Sequence, residues 1–216
     1  MNVLELFAGS RSFGKVAEQL GMNVFSVDWT NYDNIDLVID IEILKPSNIP
    51  FIPDVIWASP DCTTYSICAI STHRNGIEPK TDYASKCDRV NLNLKTLIEY
   101  YSRLNPQLNY YIENPRGMMN KMPFTKDYQC ALVWYCKYND KRAKPTNIFT
   151  NNLRGIFNVN GWQPREICFN NNKNCHHESA PRGSKTGTQG LKNSYNRSIV
   201  PYELCLEILN ASYGRD

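Results

Sequence analysis

The sequence predicts an α/β fold in which a mostly parallel sheet carries helices on both faces. Three observations lead there. Short apolar runs of strand length recur from the first residues onward, helical apolar spacing falls between them, and turn residues mark each change of period. Sheets of this kind bind ligands at the carboxyl ends of their strands.

Residues 2 to 7 form the first apolar run, which stops at Gly9; Phe13, Val16, Ala17 and Leu20 follow at helical spacing up to Gly21. Residues 22 to 27 read as a second strand, closed by Asp28. Residues 37 to 39 and 54 to 58 read as two further buried strands, the second ended by Ser59 and Pro60. Over residues 81 to 104, Val90, Leu94, Leu97, Ile98 and Tyr101 share one side of a long helix, and residues 108 to 112 form the strand after it. Residues 130 to 136 and 146 to 150 can add strands, and residues 201 to 211 a closing helix. Between them, residues 159 to 195 are rich in Asn, Gly, Ser and Lys and long for a plain connection. The reading is one domain over residues 1 to 216.

A chain of 216 residues can bury a real core, and 42% hydrophobic against 21% charged residues excludes disorder. No apolar run approaches the ~20 residues of a membrane-spanning helix. The first residues carry no basic region followed by an apolar stretch, so a cytoplasmic location is expected, with no membrane and no obligate protein partner. In a reducing compartment the eight dispersed cysteines are packing, metal or catalytic residues. The net charge of +3 is unevenly placed: residues 141 to 197 hold ten Lys or Arg against Glu166 and Glu178, which is +8, and the remainder is −5. Such a basic third suggests a surface for a polyanion, although a solvated lysine-bearing loop would look similar.

Residues 4 to 14 set Gly9 and small residues between a strand and a helix, where exposed amides can cradle a cofactor or simply make the connection. Asp28 can accept the two hydroxyls of a ribose and Trp29 can offer a face to an adenine; a capping acid and a half-buried indole are the plainer alternatives. Asp40 and Ile41, after the third strand, could meet the adenine's exocyclic amine. The fourth strand runs into SPDCTTYS, a tight turn from which Cys62 can project as a nucleophile, where the default is an inert cysteine. The fifth strand delivers Glu113, Asn114 and Pro115 to the same sheet edge.

In that order the residues resemble the cytosine carbon-5 DNA methyltransferase family, and in particular its compact versions encoded by bacteriophages and prophages. Phe7, Ala8 and Gly9 match the family's Phe-Ala-Gly turn; Asp28 with Trp29, and Asp40 with Ile41, match the acids after its second and third strands. Residues 60 to 62 match its Pro-Cys turn, residues 113 to 115 its Glu-Asn-Val, and Arg142 with Lys144 its basic pair, while Ser198 matches a serine that returns to the cofactor. The resemblance implies a Rossmann-like methyltransferase fold that takes S-adenosylmethionine and acts on DNA. Phe7, Ala8, Gly9, Ser10, Asp28, Trp29, Asp40, Ile41, Pro60 and Ser198 would bind the cofactor. Cys62, Glu113, Arg142 and Lys144 would be catalytic. Cys62 adds to carbon 6 of a flipped-out cytosine, Glu113 assists at ring nitrogen 3, and Arg142 holds the carbonyl oxygen and orients Glu113. Lys144 supports that network or touches phosphate, and residues 63 to 80 close over the base. An RNA or free-nucleotide methyltransferase, or a noncatalytic DNA-binding relative, is the alternative.

Four positions depart from the family: Arg11 and Ser12 replace glycines, Asp61 a proline, and Lys144 an arginine. A carboxylate beside Cys62 tends to raise the thiol's pKa unless it points away. Only 53 residues separate Lys144 from Ser198, too few for a large target-recognition domain. Cys168, Cys175, His176 and His177 could hold zinc together with Cys136, but their spacing matches no standard finger. The competing assignment is a basic nucleic-acid loop using Arg182, Lys185 and Lys192, and no metal is assigned.

Overall fold

The computed structural model describes residues 1–178 and 193–214. In chain order the elements are β1 (Asn2–Leu6), α1 (Ser12–Gln19), β2 (Asn23–Asp28), β3 (Leu37–Val38), β4 (Val55–Ala58), α2 (Ile70–His73), β5 (Arg74–Asn75), β6 (Glu78–Pro79), α3 (Asp82–Leu104), β7 (Asn109–Pro115), β8 (Gln129–Trp134), β9 (Pro145–Thr150), α4 (Ser194–Ser198) and α5 (Tyr202–Tyr213). Seven strands form one sheet in the order β3-β2-β1-β4-β7-β9-β8. The first five are parallel, and β9 and β8 close the far edge antiparallel.

The central strands are apolar on both faces because both faces are covered. Leu4 and Leu6 of β1, Ile56 of β4 and Ile112 of β7 pack against Leu94, Leu97, Ile98 and Tyr101 of α3. On the other face Val3, Val55 and Trp57 meet Phe13, Val16 and Ala17 of α1 and Leu204, Cys205 and Ile208 of α5. Phe13 stacks on Trp57, their ring centroids 4.5 Å apart. The α3 boundary follows from its cap: Thr81 accepts a hydrogen bond from the amide of Ala84 at 3.2 Å. Both tentative strands are present, as β8 and β9, and residues 201 to 211 lie in α5 apart from its cap, Pro201.

Residues 63 to 80, expected as a long closing loop, are built instead around a short 3-10 turn (Thr63–Tyr65), α2 and the hairpin β5–β6. A buried arginine organises them. The Arg74 guanidinium donates to the carbonyl and hydroxyl of Thr64 at 2.9 and 3.1 Å and to both oxygens of Asp88 in α3 at 2.6 and 3.0 Å. It also lies 4.3 Å from the centroid of the Tyr65 ring. No helix among the described residues is long and apolar enough to cross a membrane.

Candidate functional site

The turn after β1 is wound left-handed at alternate residues, Phe7, Gly9 and Arg11, with φ of 55°, 47° and 53°. A left-handed arginine costs roughly 1–2 kcal/mol, so something must hold it. Its amide donates to the Ala8 carbonyl at 2.6 Å and its Nε to the Ser26 hydroxyl at 2.9 Å. Arg11 thus adopts the backbone shape for which the resemblance led one to expect glycine. Glu5 lies beneath the turn, accepting from the amides of Phe13 and Gly14 at 3.2 and 3.0 Å and from the Ser26 hydroxyl at 3.1 Å. Burial nevertheless pushes its carboxyl up to about 7. Sequence reasoning passed over Glu5 as one more strand residue.

A cavity of about 300 Å³ opens at the carboxyl ends of β1, β2 and β4, and all ten residues named for the cofactor line it. Asp28 closes the floor. One of its oxygens accepts from the Gly9 amide at 3.0 Å and the other from the Thr30 amide at 2.8 Å. Burial raises its pKa while these amides act against the shift. Trp29 is 66% exposed, so its ring is presented rather than packed. Asp40 caps the following turn by accepting from the Glu42 amide at 3.0 Å and pairs with Lys86 of α3 at 2.6 Å. Against the upward push of burial, Lys86 and that amide hold its pKa below the usual value. Ser198 reaches the cavity from α4, where its hydroxyl donates to the Tyr195 carbonyl at 2.8 Å. Tyr195 and Tyr32 meet across the rim with ring centroids 5.6 Å apart.

Beside the cavity, the turn after β4 carries Cys62 and the end of β7 carries Glu113. Register brings them together: Ala58 of β4 sits opposite Ile112 of β7, and Asn114 donates to the Pro60 carbonyl at 3.0 Å. Just beyond, Gly117 passes so close to the 63–65 turn that a Cβ there would lie 2.4 Å from the Tyr65 carbonyl oxygen. Asp61 accepts from the Thr63 amide at 2.6 Å and from the Tyr83 hydroxyl at 2.5 Å. Burial, then the charges of Asp61 and Glu113, push the Cys62 thiol up to about 11, with Lys144 opposing. Glu113 is buried, and its Oε1 accepts from the Tyr135 hydroxyl at 2.8 Å and from Lys144 Nζ at 3.4 Å. The Lys144 ammonium lies over the Tyr135 ring, 4.5 Å from its centroid.

Arg142 is engaged within the fold. Its guanidinium is buried and hydrogen-bonded to the Asp140 carboxylate and to the carbonyls of Asn196, Arg197 and Ile199, the latter three at 3.2, 3.2 and 2.8 Å. It clamps the chain on both sides of Ser198 and lies 5.4 Å from the centroid of the Tyr135 ring, while Tyr135 and Lys144 make the direct contacts to Glu113. Part of the basic third is likewise paired within the fold. Arg165 pairs with Glu203 and Glu207 at 2.7 and 2.6 Å, and Lys144 with Glu113, so several of its charges serve the fold. Arg182, Lys185 and Lys192 lie outside the described residues. Tyr135, Lys86 and Tyr83 gave no sequence signal, since each acts through a partner distant in sequence, and Asp140 gave none although its partner Arg142 is two residues away. Three cysteines and His177 gather in a separate cluster, while His176 turns its Nε2 to the Asp140 carbonyl at 3.1 Å.

No protein-family model matches the chain. It is 27% identical over 228 residues to a protein of Frog virus 3 (isolate Goorha) described as "Probable DNA (cytosine-5)-methyltransferase", a match taking in 97% of this chain and 99% of the relative. Among solved structures it resembles the Entamoeba histolytica methyltransferase EhMeth, with a TM-score of 0.54 at 13% identity over 78% of this chain. A Spodoptera frugiperda DNMT2 mutant gives a TM-score of 0.49 at 21% identity over 77% of this chain. The chain spans 57% and 54% of those two proteins, but nearly the whole of the viral one. It therefore has the mixed, mostly parallel α/β fold of methyltransferases and is a distant homologue, along almost its full length, of a probable DNA cytosine carbon-5 methyltransferase.

Proposed function

We propose that the protein transfers a methyl group to carbon 5 of cytosine in DNA through a covalent adduct with Cys62. One observation carries the reading: the Cys62 turn and Glu113 are fastened together by the Asn114 to Pro60 bond at the rim of a cavity edged by Asp28, Asp40 and Trp29. The cavity suits S-adenosylmethionine, with a carboxylate placed for a ribose, an exposed indole for an adenine and a second acid for its amine. When bound, that cofactor supplies an electrophilic methyl group.

Carbon 5 of cytosine is a poor nucleophile, so Cys62 acts first. Its thiolate adds to carbon 6, and the electron density displaced into the ring is met by a proton at nitrogen 3, delivered by Glu113. Among the described residues, both contacts to Glu113 fall on Oε1, which leaves Oε2 for the base. Carbon 5 then takes the methyl group. Solvent then takes the carbon 5 proton, whose electron pair re-forms the ring double bond and expels the Cys62 sulfur as thiolate, and the nitrogen 3 proton returns to Glu113. Carbon 6 is shielded inside a duplex, so the base must leave the stack to reach this edge.

The test is to incubate the protein with tritiated methyl donor and, in separate reactions, duplex DNA, single-stranded DNA, RNA and nucleotides. Label on carbon 5 of DNA cytosine is expected. Label confined to RNA or nucleotide would change the substrate, and none in any pool would overturn the reading. DNA carrying 5-fluorocytosine, whose carbon 5 has no proton to lose, should trap the Cys62 adduct in the presence of the donor.

A further inference from the structure

We propose that Cys136, Cys168, Cys175 and His177 form a closed, four-ligand zinc site that fastens residues 168 to 178 to the turn after β8. The three sulfurs and one ring nitrogen all lie within 4.8 Å of one another, and Cys168 Sγ is 3.8 Å from His177 Nδ1. Tetrahedral zinc with sulfur at about 2.3 Å and nitrogen at about 2.0 Å spaces its donors about 3.5–3.8 Å apart. Closing onto the ion requires movements of less than about an ångström.

The surroundings support the ligands as a metal site does. Cys168 Sγ accepts from the side-chain amide of Asn172 at 3.4 Å, a bond that favours a thiolate. Two consecutive turns carry the chain from one cysteine to the next: the Asn172 amide donates to the Phe169 carbonyl at 3.3 Å and the Cys175 amide to the Asn172 carbonyl at 3.1 Å. Asn171 between them is left-handed, with φ of 63°. All three cysteines are free.

Energetics point the same way. Residues 168 to 178 contain no helix and no regular strand, only turns, and are dominated by Asn, Lys and His. The apolar cluster beneath them comprises only Trp134, Cys136, Ala143 and Cys168 as buried members. Burial on that scale does not offset the entropy of ordering such a segment, whereas a structural zinc contributes folding free energy directly. With four protein donors no position is left for substrate, so the role is structural. The ion would also brace the clamp: the Glu178 amide donates to the Lys141 carbonyl at 2.9 Å, next to Arg142.

The experiment is metal analysis of the purified full chain after incubation with zinc chloride and dialysis, followed by cobalt substitution. One zinc per chain is expected, and the cobalt form should show sulfur-to-metal charge transfer and the intense visible bands of a tetrahedral site. Because Cys168→Ser can fail to fold for packing reasons alone, the deciding pair is on the polar loop. His177→Ala should weaken zinc at least tenfold in competition with a chromophoric chelator, while His176→Ala should leave affinity unchanged. No bound zinc in the wild-type chain, or equal affinity in the two variants, would overturn the proposal. Metal content does not depend on methyl transfer, so either assignment can fail while the other stands.

Discussion

The parallel part of the sheet and its antiparallel end position their chemically useful side chains by different means. In the parallel part, register does the placing: Leu6 lies opposite both Val27 and Ala58, and Ala58 opposite Ile112, so the residues after each strand arrive at one edge. At the antiparallel end, partners far along the chain do it. Arg142 is held by carbonyls 54 to 57 residues away, and Arg165 by Glu203 and Glu207. A position just past a strand therefore shows in the sequence which residues share the sheet edge, whereas a positive charge does not show whether it pairs within the fold or faces solvent.

The sharpest way to break this contrast is at the parallel edge. Cys62→Ser should abolish methyl transfer while leaving cofactor affinity nearly unchanged by titration calorimetry, because the sulfur acts on the base. Transfer persisting in that variant would place the nucleophile elsewhere. Next in size, Glu113→Gln should lower kcat by about 10² to 10⁴-fold, the range of general acid help, without loss of folding.

At the antiparallel end the expected effect is on stability. Asp140→Ala leaves the buried Arg142 guanidinium without its carboxylate and should cost about 3–5 kcal/mol in denaturant unfolding. Lys173→Ala, an exposed change in the same basic third, should stay within about 0.5 kcal/mol. Equal effects would erase the distinction between charges that build the fold and charges that face solvent.

The smallest effect sharpens the account of Cys62. With its thiol at about 11, against 9.0 for an unperturbed one, the thiolate fraction at pH 8 is low and rises with pH. Asp61→Asn removes a charge that raises this pKa, so alkylation of Cys62 by iodoacetamide at pH 8, followed by mass spectrometry, should be several-fold faster. A rate unchanged by the substitution would show that burial and Glu113, not Asp61, set the thiol.

Much of the parallel framework was legible in the sequence because it is written in local signals. Apolar runs, Gly9 and Pro60 mark where strands stop, Gly21 marks the end of α1, and ten candidate residues converge on one cavity because strand ends must. What was not legible has one cause. Arg142 sits where the family resemblance put a catalytic cation, but nothing local shows that Asp140 and the carbonyls around Ser198 take up its guanidinium. Residues 63 to 80 read as a long closing loop, and their internal order was hidden because Arg74 carries no mark of being buried. The Cys136, Cys168, Cys175 and His177 grouping was weighed, but unequal spacing hides a cluster assembled by folding back.

The cavity is walled by both ends of the sequence. Ser12, at the start of α1, accepts from the amide of Val200 at 3.1 Å across a separation of 188 residues, and α1 packs against α5. Contacts that close so long a loop form late in folding. During synthesis the strands β1 to β7 can pair before residues 198 to 200 leave the ribosome, but the cavity proposed to take the cofactor cannot be complete. Stalled nascent chains ending before residue 198 should thus show a protease-resistant sheet that S-adenosylmethionine does not protect further, and chains released at full length should be protected by it.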